Sequence, residues 1–374
     1  MNFITGGTGF VGSAIILELL HKTDQVIYCL ARPNKTKSAE ERLIPLLKDL
    51  TGKYGYDASL LEKIDRNCRV VEGDLTDPEL YDKIVSQVGE VRQFWHIAAS
   101  LNYEERFRDE IYEINLEGTK RALKIAENIG VEYFNHFSTA YVAGKSTGLI
   151  KEEAIQNVAC NNVYEISKIE AEREVLSATG FNTRIFRPSI VIGHSKTLYA
   201  FNFSGLYGFH RRVNQFVGMM QRVQQDYFDN HKVRIKADPN AFPNLVPVDL
   251  VAKHAVKAVL GNSPYKFHHL TNPSLTSTQE ILDAVFTSVG VPVPEYVSDE
   301  KDFNSIDEKF NDKINFYTSY LTGQKMFDRE NINAAIEEED FAEYEIDPHV
   351  LQQHVDWYGK VLNRSSAKPK PVLR

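Results

Sequence analysis

The chain has 374 residues, 43% hydrophobic and 25% charged, with a formal net charge of −8 and three cysteines. Its length and apolar fraction suffice for one large core with an appended lobe, which excludes disorder as the default. The acidic balance excludes a nucleic-acid backbone binder. Cys29, Cys68 and Cys160 are too dispersed and odd in number for a disulfide framework, so a reducing cytoplasm is the expected setting.

In chain order, Met1-Asn2-Phe3-Ile4 runs at once into a glycine-rich turn, leaving no room for a leader peptide, and no later apolar run is long enough to span a bilayer. Short β-branched runs predict strands at Asn2 to Thr5, Val26 to Ala31, Cys68 to Glu72, Gln93 to Ile97, Tyr133 to Ser138 and Thr183 to Arg187. Between them, apolar residues recurring at three and four predict helices at Gly12 to His21, Ala39 to Leu50, Glu113 to Ile129 and Tyr164 to Ser177. This alternation is the pattern of an α/β fold, a doubly wound parallel sheet with helices on both faces.

After Gly193 the pattern loosens. Phe201 to Lys236 is aromatic, then basic, and reads as an insertion over a site. Its residues Phe203, Tyr207, Phe209 and Met219-Met220, beside Arg211, Arg212, Arg222, Lys232, Arg234 and Lys236, suit either an acyl channel with a basic lip or core aromatics under a solvated charged face. Asp249 is the expected N-cap of a helix to Leu260, Phe267 to Thr271 is a further strand, and the remainder is mostly helical. The expected division is a dinucleotide domain of residues 1–193 and 243–272, a smaller, mostly helical substrate-binding lobe of 194–242 and 273–363, and a disordered tail of 364–374.

Thr5-Gly6-Gly7-Thr8-Gly9-Phe10-Val11-Gly12 leaves the first strand and opens the first helix. Gly6 permits the tight turn, Gly9 lets backbone approach a pyrophosphate, Gly12 lets the helix pack closely, and the helix N-terminus faces the phosphates; Thr8, Phe10 and Val11 complete this cofactor loop. The second strand ends in Leu30-Ala31-Arg32, without the acidic residue that holds an NAD ribose. Arg32, helped by Arg42, suits a 2′-phosphate, which predicts NADPH. Asp74 and Leu75 follow the third strand where an adenine would sit. Ala98, Ala99 and Ser100 follow the fourth, where small residues let cofactor and sheet edge approach.

Tyr164 and Lys168, four apart on a predicted helix, share one face. An ammonium beside a phenol favours phenolate and brings tyrosine toward proton transfer at neutral pH. The fifth strand delivers Ser138 and Thr139 to the edge where open α/β sheets bind ligands, with Thr139 as carbonyl-orienting donor.

Together with Gly73-Asp74-Leu75-Thr76-Asp77 and Asn115-Leu116-Glu117-Gly118-Thr119, these residues resemble the extended short-chain dehydrogenase/reductases, a Rossmann-type family, over Asn2 to Leu260. The resemblance implies Tyr164 as general acid, Lys168 as its electrostatic partner, Thr139 as hydroxyl donor with Ser138 beside it, Asn115 as organiser of a water near the lysine, and backbone around Pro188 and Ser189 holding the nicotinamide carboxamide.

Leu30-Ala31-Arg32, His96-Ile97-Ala98-Ala99-Ser100-Leu101-Asn102-Tyr103, Asn162-Val163-Tyr164-Glu165-Ile166-Ser167-Lys168 and Leu245-Val246-Pro247-Val248-Asp249 are most similar to the thioester-reductase and fatty acyl-CoA reductase branch, the male-sterility type. That branch implies NADPH-dependent reduction of an acyl thioester, on CoA or on a carrier protein in trans, to aldehyde and then alcohol. One departure is Leu198 after Thr197, where the branch often has glycine, so the substrate entrance is expected to differ. A ketone or hydroxyl oxidoreductase would use the same triad, as would a nucleotide-sugar epimerase; a non-catalytic scaffold would not need it. His96 and His136 read as structural, and His268-His269, pointing to opposite faces of a strand, give no zinc site.

Overall fold

The structure is a computed structural model that describes residues 1–77, 80–336 and 344–366. Seven strands form its main sheet: β1 (Asn2–Thr5), β2 (Ile27–Ala31), β3 (Cys68–Glu72), β4 (Gln93–His96), β5 (Tyr133–Phe137), β6 (Asn182–Pro188) and β7 (Phe267–Leu270). The order is β7-β6-β5-β4-β1-β2-β3 and every neighbouring pair is parallel. The chain winds outward from β1 one way and from β4 the other, so a crevice opens between the carboxyl ends of β1 and β4.

Strand alternation explains why both faces are covered. Phe3, Phe94, Phe134 and Ile185 belong to one apolar cluster, and Ile4, Trp95, Phe137 and Phe186 to the other. Successive side chains point to opposite faces, and strands that bury apolar residues on both faces need helices on both. The first cluster takes in α4 (Leu80–Gln87), α5 (Gly118–Asn128) and α6 (Val163–Ser177) through Ile84, Ala122, Ile125 and Val175. The second is closed by α1 (Phe10–Lys22), α2 (Ala39–Lys53) and α3 (Ser59–Asn67).

Beyond the sheet lie α7 (Gly205–Val223), α8 (Val248–Leu260), α9 (Thr278–Ser288), α10 (Ser305–Thr318) and α11 (Pro348–Ser366). Of these, α8 packs on α1, whereas α10 packs on α7 and α11 on α9. The 201–236 segment is therefore a helix followed by a short strand, Arg234–Lys236, paired with Glu295–Val297. Two further three-residue pairs, Ile190–Ile192 with Leu245–Pro247 and Gly148–Ile150 with Lys325–Phe327, stitch the later chain to the earlier.

Two local expectations are corrected. Helix α8 is entered through Pro247 without a side-chain cap, because the Asp249 carboxylate instead accepts from Ser195 N at 2.7 Å and Ser195 Oγ at 2.6 Å. The tail expected from Arg364 begins as helix, since α11 runs to Ser366, and residues 367–374 lie outside the described residues. No helix among the described residues is long and apolar enough to cross a membrane.

Candidate functional site

A cleft of about 860 Å³ runs from the β1–α1 turn to α7 and α10. At its inner end Gly6 adopts φ +77°, and a side chain there would meet Ala98 N at 2.6 Å. Gly6, then, is the residue that lets the turn lie against backbone leaving β4. A Cβ on Gly12 would collide with the Gly6 carbonyl oxygen, so this glycine keeps the turn and α1 together, a closer constraint than packing on the sheet.

Helix α1 starts at Gly9, which offers no side-chain cap, and Gly9 N donates to Gly6 O at 2.9 Å. The first amides of α1 therefore lack intrahelical partners where Thr8, Gly9, Phe10, Val11 and Gly12 line the cleft. Uncapped amides at a helix N-terminus that lines the cleft fit the pyrophosphate of a nicotinamide dinucleotide.

Helix α6 carries the central pair. Its N-cap, Asn162, accepts from Glu165 N at 3.0 Å, which starts the helix one residue before Tyr164. Tyr164 and Lys168 both line the cleft, as do Phe137, Ser138 and Thr139 from the end of β5. Lys168 Nζ donates to the Phe137 carbonyl at 2.7 Å, and burial lowers its pKa to about 8. Tyr164 is raised above the ordinary phenol range by burial, reinforced by the Glu165 charge. Burial thus wins over the phenolate-favouring field expected of Lys168.

Thr139 Oγ1 accepts from Tyr141 N at 3.2 Å and donates to Pro188 O at 3.5 Å, whereas the buried Ser138 hydroxyl has no hydrogen-bond partner among the described residues. Pro188 and Ser189 line the cleft opposite, and Ser189 Oγ donates to Asn244 Oδ1 at 2.6 Å. Behind them Arg187 makes a buried bidentate pair with Glu172 of α6, at 2.9 and 2.6 Å.

Asn115 touches neither Lys168 nor the cleft. It accepts from Ser100 N at 2.7 Å and donates to Ser100 O at 3.2 Å and Ser167 Oγ at 3.0 Å, clamping the loop after β4 to α6. The expected uniform helix at this point opens with a π-turn, Glu113–Glu117, which carries Asn115. Among the other expected cofactor residues, Ala99 lines the cleft, while Ala98, Ser100, Arg32, Arg42, Asp74 and Leu75 stand outside its lining. Arg32 Nη1 pairs with Asp74 Oδ2 at 3.2 Å, and Arg42 donates to the Arg32 carbonyl.

A family model described as male sterility protein matches residues 4–255, more than half of the chain. The chain belongs to this family. It is an oxidoreductase family within the extended short-chain dehydrogenases/reductases, and its nicotinamide-binding part is the matched region. Fatty acyl-CoA reductase 1 of Gallus gallus is 25% identical over 296 residues, covering 68% of this chain and 53% of that protein. Fatty acyl-CoA reductase wat of Drosophila melanogaster is 29% identical over 222 residues, covering 51% and 42%. The chain thus spans about half the length of the curated relatives it matches. The terminal R domain from the myxalamid PKS-NRPS pathway shares its fold, with a TM-score of 0.73 at 20% identity over 99% of this chain and 92% of that one.

At the position after Thr197, where the male sterility family often has glycine, Leu198 holds φ +61°, the left-handed conformation glycine favours. Leu198 itself does not line the cleft. The outer lining includes Leu101 and Tyr103 from the loop after β4, Phe203, Leu206 and Phe209 at α7, and Phe316, Tyr317, Tyr320 and Leu321 at and after α10. The last four went unread because no local motif marks them and only tertiary packing brings them over the site.

The 201–236 segment divides between its two readings. Arg211 and Arg212 line the cleft, and Tyr207 and Met220 are core. Arg234 pairs with Glu295 and Asp307, and Lys236 with Glu300, away from the cleft.

Proposed function

We propose that this chain reduces an acyl thioester, CoA-linked or carrier-bound, to the aldehyde and onward to the alcohol, using NADPH in a cytoplasmic setting. The observation that supports it most is the continuity of one cleft, from the uncapped N-terminus of α1, past the Thr139, Tyr164 and Lys168 side chains, to a wall of Phe203, Leu206, Phe209, Phe316 and Leu321. Residues 1–193 and 243–272 form the cofactor domain in this reading, and 194–242 with 273–363 the substrate lobe.

When bound, the nicotinamide supplies the hydride. The Thr139 and Tyr164 hydroxyls hold the substrate carbonyl oxygen as negative charge grows on it. Collapse of that oxyanion breaks the carbon–sulfur bond and expels the thiolate, leaving the aldehyde; after a second hydride Tyr164, kept protonated by burial, gives the alkoxide its proton. Lys168 holds a positive charge behind the phenol and orients the nicotinamide ribose. The amides of the first turn of α1 hold the pyrophosphate, backbone at Pro188 and Ser189 holds the carboxamide, and Arg32 with Arg42 takes the 2′-phosphate. Asn115 positions Ser100 and α6 around this group rather than touching substrate.

The test is product analysis after incubation with NADPH and a panel of acyl-CoA thioesters, carrier-bound acyl thioesters and ketones. Aldehyde or alcohol with release of free thiol is expected. Turnover of ketones alone would replace this reading with a ketone reductase, and the free-thiol assay separates the two directly.

A further inference from the structure

The outer end of the cleft carries two positive charges that no carboxylate among the described residues pairs with. Arg211 and Arg212 stand on α7, about one and a half turns after Leu206 at its start, and both line the cleft beside Phe209. Among the described residues neither forms an ion pair, although the chain bears a net charge of −8 and Arg234 and Lys236, later in the same segment, are each paired. Tyr317, on the same stretch of wall, is pushed up to about 12 by burial while the charges of Arg212 and Arg211 pull the other way, so both guanidinium groups act on the cleft at this point.

The inner end already has its own anion site in the first turn of α1, and Thr139, Tyr164 and Lys168 lie between the two ends. A substrate that places a carbonyl at Tyr164 and reaches outward past the aromatic wall ends at the arginine pair. A thioester whose thiol arm ends in a phosphate ester has this layout, and a planar guanidinium pair suits a phosphate better than any other group in such an arm.

Resting on the thioester reading, we propose that Arg211 and Arg212 are the specificity-determining anchor for the phosphate of a 4′-phosphopantetheine arm. The arm is common to CoA thioesters and carrier-bound thioesters, and the anchor accepts either.

The test separates the anchor from the reaction. With saturating NADP+ to fill the dinucleotide site, binding of 4′-phosphopantetheine and of pantetheine is measured by calorimetry for the wild type, R211Q/R212Q and R211K/R212K. The wild type should bind the phosphorylated arm at least tenfold more tightly, R211Q/R212Q should lose that ratio, and R211K/R212K should keep most of it. Equal binding of the two arms by the wild type, or an undiminished ratio in R211Q/R212Q, would overturn the anchor whether or not any thioester is reduced.

Kinetics then separates the sources. KM for acyl-CoA and for the acyl-carrier conjugate should both rise about tenfold or more in R211Q/R212Q, while KM for the acyl-N-acetylcysteamine thioester, which lacks the phosphate, stays unchanged. A rise confined to the carrier conjugate, or an equal rise with all three, would overturn a phosphate anchor in favour of a protein-docking or purely structural role. Wild-type inactivity on every thioester would refute the proposed function and leave the binding measurement standing.

Discussion

Lys168 is buried, and its ammonium donates to a backbone carbonyl rather than a carboxylate, so desolvation sets its charge. With a pKa near 8, the ammonium that the site needs is lost as pH rises through that value. Because kcat/KM for the cofactor reports on the cofactor-free protein, it should fall above pH about 8, and Lys168→Met should abolish that limb together with most of the activity. A flat profile to pH 9.5 would remove Lys168 from the mechanism. The same depressed pKa makes the folded state gain stability as pH rises from about 8 toward the unfolded lysine value, because the unfolded chain there binds more protons.

Arg32 is an exposed counterpart. Its pair with Asp74 is solvent-screened and worth about 0–1 kcal/mol, so a phosphate displaces the carboxylate with little loss. Arg32→Ala should raise KM for NADPH about tenfold or more and leave KM for NADH within about twofold; equal effects on both would remove the 2′-phosphate role. Leu198, in the left-handed region, gives a stability test: L198V should lose about 1 kcal/mol in urea unfolding, because a β-branched side chain fits φ +61° worst, while L198G should lose less.

At the scale of elements, the site depends on ties between segments distant in sequence. Asn115 makes three hydrogen bonds joining the loop after β4 to α6, and it is buried. Asn115→Ala leaves Ser100 N without its acceptor, at about 1–3 kcal/mol for a buried group left unsatisfied, while Ser167 Oγ keeps its bond to the Tyr164 carbonyl. The variant should unfold at lower urea and show a raised KM for the cofactor, whereas Asn115→Asp, which can still accept from Ser100 N, should recover part of both. Unchanged cofactor KM would make Asn115 a stability residue only.

Legibility in the sequence follows the same division. All seven main-sheet strands were readable because each is a short run carrying β-branched or aromatic residues between turn signals, even where polar residues such as Asn135, Arg184 and His268 interrupt it. The helix Gly205–Val223 was not, since Gly205, Gly208 and Gly218 lower helix propensity and mask its apolar face. The three short strand pairs join residues 55 to 177 apart and have no local signal. The Gly6, Gly9, Gly12 turn and the Tyr164, Lys168 pair were legible because local spacing defines them. Tyr320 was not: its hydroxyl donates to Glu165 at 3.1 Å and accepts from Asn162, both at the start of α6, across more than 150 residues.

At the scale of the whole molecule, Glu152 is where the later chain closes on the outer edge of the sheet. Its carboxylate accepts from His269 N of β7 at 2.6 Å and from Asn331 N of the helix Glu330–Ile336 at 2.6 Å. These bonds cover a strand edge that would otherwise expose unpaired amides. They also favour the ionised form, yet burial outweighs them and raises the Glu152 pKa to about 7. Between pH about 4.5 and about 7 the folded protein therefore holds a proton that the unfolded chain has released, so stability falls as pH rises through this window. The size is on the order of 2–3 kcal/mol. Glu152→Gln cannot ionise, so its unfolding free energy should lack this contribution: the difference between wild type and variant, measured in urea at pH 5 and pH 7.5, should shrink by that amount at the higher pH. A constant difference across the window would mean that Glu152 is charged throughout and that its amide bonds, not its burial, govern the closure.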